Sequence, residues 1–173
     1  IHYDIGQARA RLGDLEGALA AYAESLRLDP QHLNSWRQRV RLLGQSSRRE
    51  DQRTALLQLL ERFPEDGPSL AELGRSSYED GEVQAAVALF RSAVAAAPEL
   101  GLPHRYLGLI AFEAGNLNAA LEHYRMAVQT EPSQVIGWYG QGACLITAGR
   151  IPEAISSLER AIALNPRHAE AQI

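Results

Sequence analysis

Prolines recur at every thirty-fourth position without a break, and this period limits the fold more than any other feature of the sequence. There are five of them: Pro30, Pro64, Pro98, Pro132 and Pro166. A fixed period of roughly 20 to 50 residues is the signature of repeat architectures, in which each repeat packs on its neighbours. The 173 residues therefore hold about five repeats, and an apolar content of 46% suffices to bury a core between them.

Other residues keep the same register. Glycine stands 24 and again 17 positions before four of the prolines, alanine stands 12 before the same four, and a large side chain stands eight before all five. The four sets are Gly6, Gly74, Gly108 and Gly142; Gly13, Gly81, Gly115 and Gly149; Ala18, Ala86, Ala120 and Ala154; and Tyr22, Leu56, Phe90, Tyr124 and Leu158.

Each repeat predicts two helices, here called helix A and helix B, because apolar residues recur at steps of three and four. The glycine nearer to the proline is expected to end helix A in a left-handed conformation. The proline ends helix B, since the residue before a proline is pushed out of the α region. The other glycine lies inside helix A, where we expect it to face the alanine of helix B so that the two axes approach.

This pattern resembles the tetratricopeptide repeat, whose signature is an aromatic residue and Leu-Gly in helix A, alanine and an aromatic residue in helix B, and then proline. The third to fifth repeats match closely. The resemblance implies an all-α fold, an α-solenoid in which antiparallel helix pairs form a right-handed superhelix. It implies a single domain over residues 1–168 and the start of a further helix at 169–173. The repeats are 1–32, which is truncated, 33–66, which is divergent, 67–100, 101–134 and 135–168.

The second repeat departs from the pattern. Val40 replaces the glycine inside helix A, Ser47 replaces the glycine that ends helix A, and Gln52 replaces the alanine of helix B. We therefore expect this helix B to begin late or to pack loosely, with an altered angle between the helices or a longer loop near residues 44–51.

The resemblance also implies a binding groove, since helix A lines the concave wall of such superhelices. Positions 27, 23 and 20 before each proline share one face of helix A, here called the groove face. Its candidate binding residues are Arg37, Arg41, Arg75 and Arg105 as charge anchors and Tyr3, Tyr78, Phe112 and Tyr139 as apolar contacts. Guanidinium groups pair with carboxylates and aromatic rings anchor apolar side chains, so the expected ligand is an extended, acidic peptide or protein segment.

The predicted function is a non-catalytic scaffold for protein–protein interaction. The alternative for the arginines is that they are solvated or paired with Glu72, Glu79 and Glu113. A chaperone C-terminus is disfavoured as the ligand, because the carboxylate clamp of chaperone-binding relatives relies on Lys and Asn and this chain has no Lys. Two other functions stay open. Such repeats present substrates to catalytic domains such as glycosyltransferases, and an uncapped last repeat favours self-assembly into a homo-oligomer through the solenoid ends.

The sequence predicts no enzyme, no metal site and no cofactor. The histidines show no metal-ligand spacing, and the single cysteine, Cys144, is expected to be a small buried hydrophobic residue. Absence of a disulfide pair favours the cytoplasm, with a periplasmic or secreted location left open.

Nucleic acid and membrane insertion are also disfavoured as partners. The 17 basic and 21 acidic residues give a net charge of −4, which provides no chain-wide attraction to a phosphate backbone. A local basic cluster is short, and we interpret it as a docking surface for protein: Arg37, Arg39, Arg41, Arg48, Arg49 and Arg53. No apolar stretch approaches the roughly 18 residues that a membrane span needs.

Overall fold

The computed structural model describes residues 1–165, and these form ten α-helices and no strand. In chain order the helices are α1 His2–Arg11, α2 Leu15–Leu28, α3 Leu33–Gln45, α4 Arg49–Arg62, α5 Gly67–Glu79, α6 Val83–Ala96, α7 Gly101–Glu113, α8 Leu117–Thr130, α9 Val135–Thr147 and α10 Ile151–Leu164. Odd-numbered helices are the predicted A helices and even-numbered ones the B helices. The expected helix at 169–173 and the last repeat proline lie outside the described residues.

The chain divides into two compact units within α5, between Leu73 and Gly74. The first contains α1 to α4 and the start of α5. The second contains the rest of α5 and the helices that follow it. The assignment of residues 1–168 to a single domain stays a prediction.

Left-handed residues make the turn from helix A to helix B. Gly13, Gly81, Gly115 and Gly149 have φ angles of 77, 81, 75 and 72°, as the spacing predicted. Ser47 occupies the same repeat position with a φ of 57°. In each turn the next backbone N–H then donates to the carbonyl of the fifth residue before it, a bond that satisfies a free carbonyl at the helix end.

The divergent second repeat keeps the ordinary helix boundaries. Its helix B begins at Arg49, one repeat period after Leu15 and one before Val83, where α2 and α6 begin. The expectation of a late helix B or a longer loop is therefore wrong. The physical reason is that Ser47 adopts the glycine conformation, so the Arg48 N–H reaches the Leu43 carbonyl at 3.1 Å, as in the other turns.

The expectation of looser packing agrees with the structure, because α4 approaches α3 along fewer residues than α2, α8 and α10 approach their own A helices. The inner face of α4 is nevertheless covered. Ala55, Leu56 and Leu59 of α4 are all buried. The Gln52 amide, which replaces the usual alanine, lies where a Cβ on Gly44 would come within 2.5 Å of it. The missing side chain at Gly44 thus leaves room for the longer residue in α4.

The glycines inside helix A contact a different partner from the one predicted. A Cβ would lie 2.6 Å from the Tyr22 ring at Gly6, and 2.8 Å from the Phe90 ring at Gly74. At Gly108 it would lie 3.1 Å from the Tyr124 ring. Close approach was expected correctly, but the nearest side chain is the large residue of its own helix B. At Gly142 a Cβ would lie 2.7 Å from Leu158 and also 3.5 Å from the Ala154 carbonyl oxygen.

The same large residues also pack on the A helix of the following pair. One core cluster joins Ala18 and Tyr22 to Leu42 of α3, and another joins Ala120 and Tyr124 to Cys144 of α9. A third joins Ala86 and Phe90 to Leu107 of α7. Each large side chain therefore packs on two successive A helices, and burial of its apolar surface stabilises the stack.

Ser47→Gly is expected to stabilise the fold by about 1 kcal/mol, because glycine accepts the left-handed conformation without the strain of a side chain. Urea unfolding followed by circular dichroism measures the change. The matched control is Gly115→Ser, where a Cβ would meet no atom within 4 Å and only backbone strain is added. Gly115→Ser should destabilise by a similar amount, and a destabilised Ser47→Gly variant would contradict the interpretation.

Candidate functional site

The first compact unit contains a pocket of about 250 Å³ between α1 and α3, here called the polar pocket. It includes groove-face positions of two successive repeats. Its lining residues are Gln7, Ala10, Arg11, Tyr22, Gln38, Arg41, Leu42 and Gln45. Of the predicted charge anchors, Arg41 lies here.

Two polar groups at this pocket have hydrogen-bonding or charge capacity that the described residues do not use. The Tyr22 hydroxyl is buried and has no hydrogen-bond partner among the described residues. Burial raises the pKa of this phenol, nearby Tyr3 raises it further and the Arg41 charge lowers it. Arg41 donates to the amide oxygen of Gln38 at 2.9 and 2.6 Å, and within residues 1–165 no carboxylate neutralises it.

Tyr3 lies beside the polar pocket and packs against other rings. Its ring centroid is 5.9 Å from that of Tyr22 and 5.0 Å from that of His32. Its hydroxyl accepts a hydrogen bond from Gln7 at 2.8 Å. Tyr3 therefore supports the wall of this pocket.

Arg37 is engaged with a buried carboxylate. Its Nε donates to Asp66 Oδ1 at 3.0 Å, and its Nη2 donates to the same oxygen. The Asp66 side chain is only 2% exposed, and its Oδ2 accepts the Ser69 N–H at 3.1 Å at the start of α5. In this arrangement Arg37 neutralises the group that caps α5.

The second compact unit contains a pocket of about 340 Å³ between α7 and α9, here called the apolar pocket. Three predicted binding residues meet in it: Arg105, Phe112 and Tyr139. The other lining residues are Tyr106, Leu109, Tyr124, Ile136, Gly140 and Ala143. The groove face thus brings residues of two successive repeats to one cavity in this unit.

Large apolar side chains remain exposed at this cavity, with one cation among them. Tyr139 is 52% exposed and Ile136 is 59% exposed. The Arg105 guanidinium lies 5.8 Å from the centroid of the Tyr106 ring, and among the described residues it pairs with no carboxylate. The cavity thus combines exposed apolar surface with a cation.

Gly140 allows the Tyr124 ring to form the floor of the apolar pocket. A Cβ at this position would lie 2.3 Å from Tyr124 Cε1. At the same repeat position the other repeats carry larger side chains, namely Asp4, Gln38, Glu72 and Tyr106. Sequence reasoning missed Gly140 and Tyr124 as pocket residues, although a glycine among large side chains was a usable signal.

The two remaining predicted residues, Arg75 and Tyr78, contact acidic groups. Arg75 Nη1 pairs with Glu79 Oε1 at 2.6 Å. The Tyr78 hydroxyl donates to the Glu113 carboxylate at 3.2 Å, and its ring packs edge-on against Tyr106. For Arg75 the structure therefore has the ion pair that the sequence left open as the alternative.

Other classes of site find no support in the described residues. No group of three or more His, Cys, Asp or Glu is placed to hold a metal ion within residues 1–165. None of the helices in this part of the chain is both long and apolar enough to cross a membrane. Cys144 is fully buried, as expected, and burial raises the pKa of its thiol to about 11, which keeps it protonated.

Arg37→Ala is expected to destabilise the fold by about 1–3 kcal/mol, because the buried Asp66 carboxylate loses its cation. Urea unfolding measures the loss. Arg41→Ala is the matched control, since it removes the same charge one turn along α3 from a group bonded only to Gln38. Equal, small effects of both changes would contradict a structural role for Arg37.

Gly140→Ala is expected to destabilise by about 1–3 kcal/mol, because the added methyl group overpacks the Tyr124 ring. Gly137→Ala in the same helix is the matched control, since its Cβ would lie 3.1 Å from a Val128 methyl group and needs only a small shift. The control gains the helix propensity of alanine, about 1 kcal/mol. Unfolding midpoints in urea measure the stability change of each variant. A Gly140→Ala variant as stable as the wild type would contradict the assignment of Tyr124 as the pocket floor.

Comparisons with known proteins show the family to which this fold belongs. The tetratricopeptide repeat family matches residues 1–32, 37–100 and 105–169. No curated protein sequence matches the chain. Among solved structures, a crystal structure of MamA is 22% identical with a TM-score of 0.75, and the match covers 98% of this chain and 99% of that one.

Two further structures show the same fold. MamA from Desulfovibrio magneticus RS-1 is 19% identical, with a TM-score of 0.74 and coverage of 95% of this chain and 93% of that one. YrrB, described as a TPR protein with an unusual peptide-binding site, is 18% identical, with a TM-score of 0.70 and coverage of 97% and 87%. The family matches, the helix pairs and these likenesses together identify the chain as a member of the tetratricopeptide repeat family, with an all-α solenoid fold.

Proposed function

We propose that this chain is a non-catalytic protein-interaction module that binds an extended segment of a partner protein. In the apolar pocket the segment places an apolar side chain against Tyr139 and Phe112 and an acidic group beside Arg105. The peptide-binding site named for YrrB, a protein of the same fold, is consistent with this class of ligand.

The observation that carries the proposal is the pairing of exposed apolar surface with an uncompensated cation in one cavity. Tyr139 and Ile136 are each more than half exposed beside a cavity of about 340 Å³, which is large enough for a single side chain. Burying an aromatic or large aliphatic group there removes apolar surface from water on both partners. Arg105 then favours a carboxylate next to that side chain.

The polar pocket supports the acidic character of the ligand independently. Arg41 and Arg11 line it together with Tyr22, and both guanidinium groups are hydrogen-bond donors. A carboxylate that enters this pocket accepts from the two guanidinium groups. A peptide with more than one acidic residue therefore offers suitable groups to each compact unit considered by itself.

Arg37 and Arg75 contribute less to the proposed recognition of an acidic ligand. To bind a ligand they must exchange their present partners, Asp66 and Glu79, for the carboxylate of the ligand. That exchange gains little, because one ion pair replaces another. We therefore assign the charge recognition mainly to Arg41 and Arg105, with Tyr3 and Tyr78 supporting the walls.

Peptides selected from a random phage-displayed library against the whole chain are expected to carry an apolar residue next to Asp or Glu. Tyr139→Ala should weaken the binding of such a peptide by about tenfold or more, since buried tyrosines dominate interface energies. Arg105→Glu should weaken it similarly, because it places like charges together. Fluorescence anisotropy with a labelled selected peptide measures the dissociation constants.

The matched control is Arg160→Glu, which makes the same charge change at an exposed position of α10 away from the cavity. Circular dichroism establishes that all variants are folded. Equal affinity of the wild type, Arg105→Glu and Tyr139→Ala for the selected peptide would exclude the apolar pocket as the binding site. Selected peptides without acidic residues would remove the charge part of the proposal.

A further inference from the structure

His104 of α7 and His123 of α8 contact each other inside the fourth helix pair. Their Nδ1 atoms are 3.2 Å apart and their ring centroids 5.4 Å apart. His104 is buried, and its Nε2 has no hydrogen-bond partner among the described residues. The two residues are 19 positions apart in the sequence, so their linear spacing did not indicate the contact.

This contact depends on the number of protons that the pair holds. A hydrogen bond between two Nδ1 atoms needs one hydrogen, which one ring donates and the other accepts. When both rings are protonated, each Nδ1 carries a hydrogen and neither accepts, so this short separation brings two positive N–H groups together. The His104 Nε2 offers no alternative, since a charged N–H at that buried atom has no acceptor.

The surroundings of His104 and His123 on balance lower the pKa of both imidazoles. Burial lowers the pKa of both imidazoles, and His123 lowers the pKa of His104 further. The Glu122 carboxylate on α8 acts in the opposite direction on both rings, and Arg91 on α6 lowers the pKa of His123. α9, which packs on both α7 and α8, carries no Asp, Glu, Arg, Lys or His.

The repeat does not need histidines at these two positions. The second repeat has Trp36 and Ala55 there, and the fifth has Trp138 and Ser157. A large residue in helix A with a small one in helix B fills the same two positions without any titratable group. The pair of histidines therefore adds a response to pH that the fold itself does not require.

The contact lies next to the floor of the apolar pocket. His104 and Gly108 are one turn apart on the face of α7 that meets α8. A Cβ on Gly108 would lie 3.1 Å from the ring of Tyr124, the residue that follows His123. Because α7 carries both His104 and Gly108, a separation of the two histidines would displace α7 relative to the ring on which the pocket is built.

We propose that acidification below neutral pH protonates the His104–His123 pair, separates α7 from α8 and opens the apolar pocket. Release of a bound segment on acidification follows from this and rests on the function proposed above. Within residues 1–165 the pair belongs to no group of three or more His, Cys, Asp or Glu placed to hold a metal ion.

The direction of the pH effect follows from linkage. The unfolded chain takes up protons at these histidines near the ordinary value of 6.5, whereas the folded chain resists uptake. Stability is therefore fully present above pH 6.5 and falls as the pH drops below it toward the lowered folded values. For each proton taken up, the opening equilibrium constant rises up to about tenfold per pH unit.

Hydrogen exchange measured by mass spectrometry on the whole chain, at about pH 7.5 and about pH 5.0, tests the proposal without a ligand. After correction for intrinsic exchange, the protection factors of amides in α7 and α8 are expected to be at least about tenfold lower at the lower pH than at the higher pH. The variant His104→Trp/His123→Ala carries the residue pair of the second repeat and is expected to keep its protection. His2→Gln is the matched control and should behave as the wild type.

A second measurement keeps the test decisive if the double variant folds poorly. Nuclear magnetic resonance of the wild-type imidazole Cε1–H groups follows both histidines directly, together with the amides of Phe112 and Tyr124. The expected result is titration below the ordinary histidine range with simultaneous changes at these amides. Ordinary titration with unchanged pocket amides, or equal loss of protection in the wild type and the double variant, would overturn the proposal.

Failure of this proposal and failure of the proposed function are distinguishable. Neither measurement above contains a ligand, so both report on the histidine contact alone. Affinity for a selected peptide at about pH 7.5 reports on the pocket alone. A peptide that binds equally well at both pH values would exclude acid-driven release and leave the pocket assignment intact.

Discussion

Aromatic side chains eight positions before the repeat proline connect successive helix pairs within each compact unit. Tyr22 lies against Gly6 of its own pair and against Leu42 of the next, and Tyr124 lies against Gly108 and Cys144 in the same way. A helix pair without its neighbour would expose part of this ring to water. Because one side chain makes both contacts, the folding of each pair within a compact unit depends on the pair that follows.

The same rings form the floors of both pockets, so the element that stabilises the stack also shapes the sites. What differs between the pockets is the residues above the floor. Gln38 and Arg41 surround Tyr22 and make the first pocket polar, whereas Gly140 and Ala143 uncover Tyr124 and make the second apolar. A repeat can therefore change its ligand chemistry at positions 26 and 23 before the proline without altering the packing on which the fold depends.

Periodicity predicted the helix pairs, the left-handed turns and the family, because each of these depends on local backbone preference and on spacing along one helix. The residue nearest to the helix A glycine was predicted wrongly. The alanine and the large residue stand four positions apart on one face of helix B, and spacing alone does not show which of them lies opposite the glycine. The late helix B of the second repeat was wrong for a related reason. A substitution at Ser47 lowered the match to the sequence pattern, but the residue still adopts the required backbone angle at a modest cost.

The sequence predicted the candidate sites only where their residues lie on the same helix. The groove face correctly grouped Arg105 and Phe112, which lie two turns apart on α7 and line one cavity with Tyr139 of α9. It did not separate Arg105 from Arg37, because the difference is Asp66, a residue 29 positions away that is buried at the start of the next helix A. Residues at equivalent positions of different repeats thus lie on the same face of helix A but have different neighbours. The charge state of the neighbours decides whether an arginine is part of the structure or available to a ligand.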